Sequence, residues 1–175
     1  MRAIAARIGM SVAGLYRHFE DKEALFSTLV EPAVCTMQTW YQTHKTADYE
    51  LLERNDLDGM WESDADINMM IEVVYPNFEA FKLLICRSEG TRYANFIHEM
   101  VLLEQRETED FMHAAKAKGF SVKELPTEEL HLLLSAYVTA LFEVVIHDFS
   151  LEQATHYLQT CKAFFYPGWR TVLGL

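Results

Sequence analysis

"GMSVAGLYRHFEDKEAL" occupies positions 9–25 and decides how the chain is read. Before it, Ile4, Ala5 and Ile8 recur at helical spacing. Gly9 then suits a left-handed residue that ends a helix. Ser11 is placed to cap a second short helix over about 12–19, whose Leu15 and Phe19 share a face. Asp21 caps a third segment with Leu25 and Leu29 inward. Two short helices joined by a glycine turn, with a small residue (Ala5) at the crossing, form the helix-turn-helix pattern. On the second helix Val12, Ala13, Gly14, Tyr16, Arg17 and His18 are left outward. Small residues at the start allow deep entry into a major groove. Tyr16, Arg17, His18 and the following Lys22 supply donors for phosphate oxygens.

Charge distribution points the same way. The chain of 175 residues has a formal net charge of −11, yet residues 1–19 hold Arg2, Arg7 and Arg17 and no acid. Residues 1–31 are neutral overall, so the whole negative charge sits in 32–175, much of it between Asp48 and Asp66. A relatively basic end on an acidic body fits a protein whose one end meets a polyanion.

The stretch "IAARIGMSVAGLYRHFEDKEALFSTLV", residues 4–30, resembles the DNA-binding segment of the tetracycline-repressor (TetR) family of bacterial regulators, with Gly9, Tyr16, Phe19 and Lys22 all in place. The resemblance implies that Ser11, Tyr16, His18 and Lys22 contact phosphates, and that Ala13, Gly14 and Arg17 lie at bases or the nearby backbone. It implies a double-stranded operator as partner, a homodimer and a small-molecule effector. Family members carry a further helix before this point. The chain opens on what would be the second, so the expectation is a helix-turn-helix lacking the usual first helix.

The remainder reads as helical, giving an all-α fold. Division is expected at 1–45 (DNA-binding region and connecting helix) and 46–175 (helical ligand-binding and dimerisation domain). Only 4 prolines and 7 glycines punctuate the chain, too few for a sandwich or barrel. The connecting helix is predicted over 21–45 with a kink at Pro32, and a separate acidic amphipathic helix over 48–58. Further helices are expected from 64 to 87 with a break at Pro76, over 91–117, and from about 127 to 149. The last opens on the capping box Ser150–Gln153 and ends near 166 at Pro167-Gly168. The helix from 127 is apolar almost all round, so a partner chain is its simplest cover. Together with the last helix it gives a dimer interface over about 127–166, with Leu141 expected there. In the family, the two C-terminal helices play this part.

For the effector pocket, the Met and aromatic positions Trp61, Met69, Met70, Tyr93, Phe96, Met100, Tyr137 and Phe142 are candidates, because such side chains make adaptable walls. They suit plain core equally well. Glu143, a carboxylate on an apolar helix, reads either as a cation sensor in that pocket or as an i,i+4 partner of His147. No metal-ligand spacing, nucleotide loop, nucleophile elbow or other catalytic motif is present, so neither a cofactor nor an enzyme is expected. Cys35, Cys86 and Cys161 are read as buried, reduced thiols. No leader is recognised and no apolar run approaches a membrane span, which places the protein in the cytoplasm away from the membrane. The reading that emerges is a ligand-responsive DNA-binding repressor. The alternative is an all-helical small-molecule-binding or interaction module that has lost DNA binding.

Overall fold

The computed structural model describes residues 1–175 and is all-α. Helices α1 (Arg2–Arg7) and α2 (Val12–His18) form the expected hairpin, joined through Gly9 at φ +67°. Ser11 Oγ accepts from Gly14 N–H at 2.9 Å, and Asp21 caps the next helix by accepting from Ala24 N–H at 2.7 Å. Ala5 and Leu15 are the buried anchors of the hairpin. Ile8 lies past the last turn of α1, at the helix cap, and is 56% exposed.

Helix α3 (Lys22–Glu53) is longer than expected. The acidic stretch from Asp48 continues it instead of starting a new helix, so the division proposed at 45/46 falls within one continuous rod. At 32 residues the rod is about 48 Å long. It continues through Pro32, which removes one intrahelical donor; Thr36 Oγ1 donates to the Pro32 carbonyl at 2.8 Å. Its buried face, Phe26, Val30, Ala33 and Met37, packs into the body.

After α4 (Leu57–Glu62) and α5 (Ala65–Met69), the chain passes through a π turn at Met70–Val74 and a 3-10 turn at Tyr75–Asn77 before α6 (Phe78–Cys86). The break expected at Pro76 therefore spreads over two turns. Helix α7 (Phe96–Ala117) starts five residues later than expected, because Thr91–Asn95 is held by other bonds. Arg92 N–H donates to Glu23, and the Arg92 guanidinium and Tyr93 hydroxyl both reach Glu31 of α3.

Helices α8 (Thr127–Ile146) and α9 (Leu151–Leu173) complete the body. The Ser150–Gln153 capping box is formed. Contrary to expectation, α9 does not stop at Pro167. That residue lies on the solvent side, and Trp169 and Leu173 beyond it are anchored in the core, so packing offsets the lost hydrogen bond. The helix ends at Gly174, φ +77°.

Helix α8 is also covered differently from the sequence reading. Leu134, Tyr137, Val138, Leu141, Phe142, Val144 and Val145 are buried by their own chain, whereas Leu132 (68% exposed), Leu133 and Ile146 are left outward. Leu141 thus faces the core, not an interface. By length and apolar composition α8 could cross a membrane, a correction to the sequence expectation; here its inner face is committed to packing on α6, α7 and α9. The carbonyls at its C-terminus are held by Lys82 Nζ, 2.9 Å from both Val145 O and Ile146 O and 2.8 Å from Asp148. Lys82→Met should lower stability by about 1–2 kcal/mol in denaturant unfolding; an unchanged midpoint would contradict this role.

The cysteines also differ from expectation. Cys161 is buried and Cys86 partly so, but Cys35 is exposed on α3.

Candidate functional site

Two regions carry functional chemistry, and α3 connects them. The first is the N-terminal hairpin. Ser11, Ala13, Tyr16, Arg17, His18 and Lys22 are all exposed, with Gly14 partly covered. Arg2, Arg7, Arg17 and Lys22 form no ion pair. In the body, by contrast, Lys45, Arg54, Lys82, Arg92, Lys116, Lys118, Lys162 and Arg170 are each paired with a carboxylate. Arg87, Arg106 and Lys123 of the body are also without an ion pair, but four of the seven unpaired cations fall within the first 22 residues, at the end that also presents a short capped helix. At Gly14 an added Cβ would come 3.1 Å from both Met10 Cγ and Ser11 Oγ, so a side chain there presses on the cap itself.

The second region is a cavity of about 250 Å³ in the body, walled by α3, α4, α5, α7, α8 and α9. Its apolar wall includes Trp40, Trp61, Met69, Met100, Phe111, Leu134, Leu141 and Trp169. All 3 tryptophans of the chain line it. Trp40 stacks on His44 with ring centroids 3.6 Å apart, and Trp61 meets Tyr166 edge-on.

Four carboxylates also line this cavity: Asp48, Asp66, Glu104 and Glu107. Glu107 is paired with Lys45 at 2.5 Å. Glu104 Oε2 accepts from the Tyr41 hydroxyl at 2.8 Å, and Asp66 Oδ2 accepts from the hydroxyls of Tyr137 and Tyr166. Burial pushes the Glu104 carboxyl up to about 7, with Asp66, Asp48 and Glu107 adding to the rise and the Tyr41 hydrogen bond opposing it. Burial likewise takes Asp48 to about 6, opposed by His44. Asp66 is also raised by burial, against its two tyrosine hydrogen bonds and the charge of Lys162.

Comparison with known proteins bears on the first region. Residues 1–29 match the family model described as bacterial regulatory proteins, tetR family. Over this segment the chain is similar to the tetR family's DNA-binding region. No curated protein and no solved structure matched it. The tetR-family segment ends within the first turns of α3, and the rod carries on from there to form one wall of the cavity through Trp40, Tyr41, His44, Lys45, Asp48 and Tyr49.

Of the pocket candidates read from the sequence, Trp61, Met69, Met100, Tyr137 and Phe142 line the cavity. Four do not. Met70 is 1% exposed in the core, and Phe96 packs against Phe81 and Phe142. Tyr93 bonds Glu31 at the clasp on α3. Glu143 lies on the outer side of α8, its Oε2 3.0 Å from His147 Nε2, which is the i,i+4 pair and not a pocket carboxylate. The acids that do reach the cavity were missed. Glu104 follows Met100 and precedes Phe111 on one face of α7, so a carboxylate within an apolar stripe was the available signal.

Proposed function

We propose that this DNA-binding transcriptional regulator is a cytoplasmic, ligand-responsive repressor that binds its operator as a homodimer. The reading divides labour between the N-terminal region up to about residue 45, which meets DNA, and the body, which binds effector and dimerises. The observation that carries it is the continuous α3 rod. Its first turn holds Lys22 and its later turns wall the cavity, so a ligand that shifts this wall tilts the DNA-reading end. Any such ligand must bind the DNA-competent and released arrangements unequally, and DNA then changes ligand affinity by the same factor.

In this reading Ser11, Tyr16, His18 and Lys22 hold phosphates, while Ala13, Gly14 and Arg17 face bases or adjacent backbone. The dimer surface is the outward stripe of α8, where Leu132 and Ile146 flank the exposed small residues Ala136 and Thr139, together with Phe164 of α9, 74% exposed. Small residues permit close helix approach, and apolar ones at this exposure are best covered by a second copy. Two-fold symmetry then presents two reading helices to successive major grooves.

Lys22→Ala and Tyr16→Phe should weaken binding to every duplex, and Lys22→Ala should reduce the salt slope of log K by about 1. Ala13 substitutions should instead change which sequence is preferred. Fluorescence anisotropy across a salt series, on duplexes selected from a random pool, checks both. An unchanged affinity and slope in Lys22→Ala would contradict the phosphate role.

A further inference from the structure

From the composition of the cavity we infer that its ligand is a lipophilic organic cation, with Glu104 and Asp66 as counter-ions and the tryptophans and tyrosines as walls. This rests on reading the cavity as the effector site and names the chemical class it takes.

The argument begins with charge. Asp48, Asp66 and Glu104 line the cavity with no cation paired to any of them. Lys45 is taken by Glu107, and Lys162, the cation whose field reaches Asp66, is held by Asp64 at 2.7 Å and by the Glu62 carbonyl. Only one oxygen of Glu104 and one of Asp66 is bonded, by the tyrosine hydroxyls. Oε1 of Glu104 and Oδ1 of Asp66 have no hydrogen-bond partner. Half-buried carboxylates left without a cation favour protonation or pairing with what enters the cavity.

The form of the cation follows from the walls. No three acids, histidines or cysteines converge as a metal ion would need, so the charge has to arrive on a larger body. Trp40, Trp61, Trp169, Tyr49 and Phe111 offer the apolar, aromatic surface that favours an alkylated ammonium. An anion would meet three carboxylates of its own sign, and a neutral molecule would leave them unpaired.

Affinity should then depend on pH. Glu104 faces Tyr41, His44, Lys45 and Asp48 of α3, Asp66 of α5, Glu107 of its own helix, Tyr137 of α8 and Tyr166 of α9. With the Glu104 carboxyl near 7 in the empty protein, a permanent cation must displace its proton below that pH. Binding should tighten from pH 5.5 to 8 and release protons in the lower half of that range.

The test uses the full chain, with tryptophan fluorescence and calorimetry at pH 7.5. Three probes of similar size are compared: benzyltrimethylammonium, its uncharged isostere neopentylbenzene, and the anion phenylacetate. The expected result is saturable binding of the cation at least about tenfold tighter than the isostere, with that margin lost in Glu104→Gln or Asp66→Asn and kept in Glu104→Asp. Circular dichroism confirms that each variant folds. Equal or tighter binding of the neutral or anionic probe would overturn the cation inference while leaving the cavity as a ligand site. If none of the three binds, both the inference and the effector reading fall.

Discussion

Leu132→Arg combined with Phe164→Arg should convert the protein from dimer to monomer at micromolar concentration. Both side chains are exposed in the single chain, at 68% and 74%, so the substitutions cost the monomer fold little. In the proposed dimer the two-fold axis brings each new charge into an apolar interface twice, and unpaired buried charges cost several kcal/mol. Val145→Arg is the contrasting case. Val145 is 0% exposed on the inner face of the same helix, so an arginine there should unfold the chain. Light scattering with a thermal melt separates the two outcomes. A double variant that keeps the mass of two chains would place the interface elsewhere. A wild-type mass of one chain would remove the dimer.

Glu104→Gln should stabilise the empty protein above neutral pH. The folded-state carboxyl, at about 7, lies above the ordinary glutamate value of 4.5, so between these two pH values the folded chain holds a proton that the unfolded chain has lost. Stability from this group is complete below about 4.5, falls as pH rises, and is lost above about 7. Asp48, raised to about 6, gives a similar decline that starts from its ordinary value of 3.8. Glutamine is neutral throughout, and its amide oxygen still accepts from Tyr41. The variant should therefore gain on the order of 2 kcal/mol at pH 8, roughly 4–8 °C in Tm. Its melting temperature should fall less steeply than wild type between pH 5 and 8. Parallel profiles for the two proteins would contradict the buried-carboxylate account.

Legibility in the sequence followed the physics of each element. The hairpin was plain because its punctuation is local: Gly9 needs a left-handed conformation, and Ser11 and Asp21 satisfy their own helix starts. The same holds for the box at Ser150 and Gln153. Helix ends decided by packing were misplaced. Pro167 is a helix breaker by propensity, yet Trp169 and Leu173 pull the next turn into the core. The run from Asp48 was read as a new helix because its acids stood out, although nothing local stops α3 before Glu53. For the cavity, apolar spacing identified Trp61, Met69, Met100, Tyr137 and Phe142 but could not separate wall from solid core, as Met70 and Phe96 show. Among the carboxylates, the sequence singles out Glu143, which pairs with His147 outside the cavity. That Glu104 and Asp66 meet in one cavity depends on how α5 and α7 pack, which helical spacing alone does not encode.

The central claim is that cavity and DNA compete through one continuous helix. Its most direct measurement is reciprocal: the affinity of the chain for benzyltrimethylammonium, read by tryptophan fluorescence, with and without a saturating selected duplex, beside the duplex affinity with and without saturating cation. The account predicts that each ligand weakens the other by the same factor, typically about fivefold to a hundredfold. Duplex and cation affinities that are each unchanged by the other would contradict it.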